Sequence, residues 1–124
     1  MKLVLGIATI ALALAGCSGS ATSGEFVLTE YDIAVPGASF EAGTVPLQIV
    51  NSGEFPHTMV VTGEDGRALA ATATIAAGST AELVLDLEPG TYHVSCRIVL
   101  QLPDGTIVDH YQAGMVAGFQ VREG

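Results

Sequence analysis

The 124-residue sequence holds few side chains suited to metal or redox chemistry. They are His57, His93 and His110, Cys17 and Cys96, and, past the first residue, Met59 and Met115. Thiolate and thioether are soft ligands and imidazole is a borderline one. Two imidazoles with one thiolate and a distant thioether suit copper cycling between Cu(I) and Cu(II). Such a set can be assembled here with little choice. Four Lys and Arg against 13 Asp and Glu leave a formal charge of −9. That balance excludes a basic nucleic-acid surface and makes any charged partner a basic one.

The N-terminus has to be set aside before a fold is considered. Met1-Lys2 is a minimal basic start, Leu3 to Ala15 is a mostly apolar run, and Leu14-Ala15-Gly16-Cys17 follows. The run is shorter than the roughly 20 apolar residues that a membrane-spanning helix needs. Leu-Ala-Gly-Cys resembles the bacterial lipobox, which implies cleavage before Cys17 and lipidation of that residue. An ordinary signal peptide followed by a stray Cys is the alternative. Ser18 to Gly24 is small and polar and reads as a flexible tether. The expected organisation is therefore a signal peptide over 1–16, a lipidated Cys17 and tether over 17–24, and one domain over 25–124. Cleavage leaves 108 residues with no Lys, and three Arg against 13 acidic residues give −10. Outside the cytoplasm paired cysteines oxidise. With Cys17 acylated, Cys96 has no partner and is either buried and inert or held by a metal.

From Glu25 onward, short runs rich in Val, Ile, Leu and Thr alternate with Gly, Pro and Asp turn signals. This predicts strands over 26–33, 45–50, 57–62, 81–87, 91–96 and 116–121, in an antiparallel sandwich or barrel. Residues 67–77 suit a short helix or a strand about equally, because Ala-rich sequence favours the first and alternating Thr the second. On the strand 91–96, Tyr92, Val94 and Cys96 share one face, so His93 points outward; a replacement ligand or second metal site is its other reading. Met59 reads as core or rim packing.

Three segments give the ligand types an order. Asn51-Ser52-Gly53-Glu54-Phe55-Pro56-His57-Thr58-Met59 resembles the first copper-ligand segment of plastocyanin-like cupredoxins. Pro89-Gly90-Thr91-Tyr92-His93-Val94-Ser95-Cys96 is similar to the strand that delivers the copper Cys in that family, and His110-Tyr111-Gln112-Ala113-Gly114-Met115 to its closing segment. The resemblance covers most of residues 41–122. It implies an all-β Greek-key β-sandwich that binds one copper ion through His57, Cys96, His110 and, as an axial ligand, Met115. It also implies one-electron transfer rather than enzymatic turnover. Thr58 stands where the family often has Asn, and its hydroxyl can still tie two ligand loops together.

One departure is large. Thirteen residues, Arg97 to Asp109, separate Cys96 from His110, where cupredoxins have only a few. Residues 97–102 and 107–109 around Pro103-Asp104-Gly105-Thr106 read as an inserted β-hairpin. A plain two-residue Asp-Gly turn sets Val99 opposite His110 and leaves Cys96 and His110 on opposite faces. Copper binding by both therefore requires a three-residue loop or a bulge. The whole reading is a monomeric lipoprotein on the periplasmic or outer cell surface, anchored to the lipid membrane through its acylated N-terminus. It meets a redox partner, a basic one being favoured by the net charge, over an apolar rim of Phe55, Pro56, Gly114 and Val116. A copper-binding or delivery protein, or a non-blue cupredoxin variant, without a shuttle role is the alternative.

Overall fold

The computed structural model describes residues 24–37 and 39–124, so the expected signal peptide, Cys17 and all of the expected tether but Gly24 lie outside the described residues. The elements in chain order are β1 (Gly24–Thr29), β2 (Asp32–Ala34), β3 (Phe40–Glu41), β4 (Gly43–Asn51), β5 (Val60–Thr62) and β6 (Ala68–Ala71). They continue with β7 (Thr80–Leu87), β8 (Gly90–Ser95), β9 (Val99–Gln101), β10 (Ile107–Asp109) and β11 (Val116–Arg122). Among the described residues there is no helix, and none long and apolar enough to cross a membrane. The stretch 67–77 resolves as β6 followed by extended chain, the strand reading of the two.

Two sheets face each other, one ordered β2-β1-β4-β7 and the other β3-β11-β8-β5-β6. β1 runs parallel to β4 and β3 parallel to β11, and the other pairs are antiparallel. The period of two in the sequence decides what meets between the layers. Along β4, Val45, Leu47, Ile49 and Asn51 are buried while Gln48 is exposed. Phe26 and Leu28 of β1 add to this face, and Phe40, Val61, Val94, Phe119 and Val121 come from the opposite sheet. Phe26 and Phe40 stack at 6.0 Å, and Phe119 meets both edge-on at 5.6 and 5.3 Å. Interlocked rings of this kind add about 0.5–1.5 kcal/mol per pair beyond area burial. They make the body of the sandwich a rigid base for the loops at one end.

Two expectations need correction. The single strand expected over 26–33 is a hairpin, because Glu30 and Tyr31 form a turn in which the Tyr31 N–H donates to the Thr29 carbonyl at 3.0 Å. Tyr31 there has φ 127°, a conformation rarely taken by a non-glycine residue, and no Gly or Pro announces the turn. The strand expected over 57–62 begins only at Val60; His57 makes an isolated bridge to Ile75, donating to its carbonyl at 3.1 Å and accepting its N–H at 2.7 Å.

The insertion is an ordered hairpin, β9 against β10, with Ile107 opposite Gln101 and Asp109 opposite Val99. Leu102 donates to the Thr106 carbonyl at 2.8 Å, so the connection is the three residues Pro103-Asp104-Gly105, with Gly105 at φ 90° supplying the left-handed position. His110 then falls opposite Ile98, to whose carbonyl it donates at 3.0 Å. The odd loop length thus returns His110 to the face on which Cys96 lies.

Candidate metal centre

Three segments converge at the end of the sandwich. Cys96 follows β8 directly, and its N–H donates to the Met115 carbonyl at 3.1 Å, one step beyond the β8–β11 pairing of Ser95 with Val116. Cys96 and Met115 are therefore cross-strand neighbours on one face, and both are completely buried. The loop from His110 to Met115 closes on itself: Met115 N–H donates to the His110 carbonyl at 3.0 Å, and Gly114, at φ 108°, makes the reversal. His57 is presented by a loop fastened to the buried Asn51. The Asn51 amide donates to the Phe55 carbonyl at 2.9 Å and to the Ile75 carbonyl at 2.8 Å, and its oxygen accepts the Gly53 N–H at 2.9 Å.

The result is a compact donor set. His110 Nδ1 lies 3.5 Å and His57 Nδ1 3.7 Å from Cys96 Sγ, and the two Nδ1 atoms are 3.2 Å apart. All three residues are fully buried, and their ligand atoms lie within 4.8 Å of one another. The sulfur also accepts the Thr58 backbone N–H at 3.4 Å, and Thr58 Oγ1 lies 3.9 Å from it. The same hydroxyl accepts the Arg97 N–H at 3.3 Å, so Thr58 ties the His57 and Cys96 segments as expected of it. Two imidazoles and a thiol around one point, with a thioether beside the thiol, fit one copper ion by ligand chemistry. Cys96 is a free thiol.

The surroundings of the two histidines differ. His57 Nε2 lies 3.0 Å from Glu30 Oε1, which sets the ring proton on Nε2 and leaves the Nδ1 lone pair facing Cys96. His110 Nε2 is buried with no hydrogen-bond partner among the described residues, and the Tyr31 ring meets the imidazole edge-on at 5.3 Å. Burial, followed by the neighbouring His57, holds the His110 pKa below its ordinary value. A neutral His110 is the form able to bind a metal.

His93 is exposed on β8, facing away from Cys96, and Met59 packs in the core. Sequence reasoning missed Glu30 and Tyr31 altogether. Glu30 is 27 residues from His57, and only the unforeseen β1–β2 turn brings it there.

The architecture can be compared with known structures. Reduced auracyanin from the photosynthetic bacterium Roseiflexus castenholzii matches with a TM-score of 0.63 at 20% identity, over 83% of this chain and 98% of that one. The chain has the cupredoxin fold. Rusticyanin from Thiobacillus ferrooxidans shares this cupredoxin fold, with a TM-score of 0.54 at 17% identity over 83% of this chain and 79% of that one. A further rusticyanin structure, described as that of a copper protein, has a TM-score of 0.52. No protein-family model matches the chain, and no curated protein does.

Proposed function

We propose that this cupredoxin domain carries single electrons, using one copper ion held by His57, Cys96, His110 and, more weakly, Met115. The observation that carries the reading is the convergence of two Nδ1 atoms and one thiol sulfur, all fully buried, from three separate segments. Copper bound there supplies a one-electron cycle between Cu(II) and Cu(I). The protein's part is to hold the ligands still, because movement between oxidation states slows transfer. Asn51 fixes the His57 loop, Thr58 links it to Cys96, and the Cys96–Met115 pairing locks the closing loop. The Thr58 N–H also points at the sulfur and holds it in place for the metal, which a thiolate ligates.

Cys17 carries the acyl anchor and keeps the domain at the extracytoplasmic membrane face. The negative net charge speeds encounter with a basic redox partner at low salt. Tyr111 and Val116, at the two ends of the closing segment, are exposed apolar side chains available to the expected rim. The copper-loaded protein should be reduced and reoxidised repeatedly by small one-electron reagents with its metal retained. Loss of copper to a chelator at each reduction refutes the shuttle and favours delivery of the metal.

A further inference from the structure

Resting on the copper reading above, we propose that Glu30 is a positioning residue of the metal centre. Its carboxylate orients His57 and sets a negative charge behind it that favours Cu(II) over Cu(I). Glu30 Oε1 accepts from His57 Nε2 at 3.0 Å, from the Phe55 N–H at 3.1 Å and from the Glu54 N–H at 3.0 Å, and Oε2 lies 3.1 Å from the same Glu54 nitrogen. Three N–H groups thus hold a side chain that is only 26% exposed against a histidine that is fully buried. Burial pushes the Glu30 carboxyl up, and the Phe55 and Glu54 N–H groups and His57 outweigh it, so the pKa lies below its ordinary value.

Two further features belong to the same device. A Cβ at Gly53 would strike the Glu30 carboxylate, coming within 2.9 Å of its Cδ, so the loop leaves room for this group by having no side chain there. The turn that aims Glu30 also carries Tyr31 at φ 127°, whose ring covers the edge of His110. One two-residue turn therefore touches both histidines, and the strain of about 1–3 kcal/mol at such a position is offset by these contacts. A carboxylate on the far nitrogen of a ligating imidazole fixes its tautomer and raises its basicity. A nearby negative charge stabilises the more positive oxidation state of the ion.

The experiment compares the wild type with Glu30→Gln, which keeps the acceptor shape and loses the charge, and Gly53→Ala, which displaces an intact Glu30. The first readout is the His57 Nε2 proton in the metal-free protein, by nitrogen-15 NMR. It should exchange slowly in the wild type and roughly tenfold faster in Gly53→Ala, the factor that corresponds to losing one charge-assisted hydrogen bond. The second is the copper potential by redox titration. The Cu(II)-over-Cu(I) preference should fall about tenfold in both variants, a rise of about 59 mV. Folded variants with unchanged potentials and unchanged exchange overturn the proposal. A wild type with no thiolate-to-copper absorption overturns the copper reading and the charge effect with it. Proton exchange in the metal-free protein then still decides whether Glu30 orients His57.

Discussion

Replacing Asn51 by Ala should destabilise the protein through the loop that presents His57. The side chain is fully buried and makes three hydrogen bonds, to Phe55 and Ile75 carbonyls and from the Gly53 N–H. At about 1 kcal/mol net for each, the loss is about 3 kcal/mol. The Ile75 carbonyl keeps the His57 N–H as a partner, so no large extra penalty follows there. For a domain of this size each kcal/mol is worth about 4–8 °C, which places the fall in Tm at roughly 12–24 °C. Asn51→Asp should cost more than Ala. It buries a charge and points one carboxylate oxygen at the two carbonyl oxygens that the amide nitrogen now serves, while the other still accepts the Gly53 N–H. Urea denaturation of the metal-free protein, followed by a copper titration of each variant, measures both the stability and the weakened grip on the metal. An Ala variant that loses less than about 1 kcal/mol, or an Asp variant no worse than Ala, would refute the assignment of Asn51 as the fastener of this loop.

The hairpin and His110 offer further tests. Deleting Val108 within β10, with the three-residue connection kept, slides His110 from opposite Ile98 to opposite Val99 and turns it to the face away from Cys96, so the thiolate-to-copper absorption should vanish while the fold persists. Retention of that absorption would show that the register does not position His110. For pH, the folded His110 pKa lies below its ordinary 6.5, so the unfolded chain binds the proton first and stability rises with pH. The contribution is present above the unfolded value and is lost as pH falls toward the folded one. Urea midpoints of the metal-free protein should therefore drop between about pH 8 and pH 5.5, less so in His110→Asn.

The strands were legible wherever one face is buried. The alternation along 45–50 marks β4, and the Tyr92, Val94, Cys96 face marks β8. The ladder also let Cys96 and His110 be related by parity before any contact was known, and the Pro103-Asp104-Gly105 loop has the odd length that the ligands require. What stayed hidden depends on a turn with no local signature. Glu30 and Tyr31 adopt theirs without Gly or Pro, held by contacts with residues 53–57 and His110 that lie far away in sequence. Tertiary hydrogen bonds override local preference there, so a period-two pattern running through Phe26 to Ile33 concealed a hairpin and both of its site contacts.

The account rests on Cys96 being the sulfur that meets copper. Visible absorption and electron paramagnetic resonance of the Cu(II)-loaded protein, recorded beside Cys96→Ala, test this most directly. One copper per chain, with an intense thiolate-to-copper band that the substitution abolishes, is the expected result. No stoichiometric copper, or spectra unchanged by removing the sulfur, would contradict it.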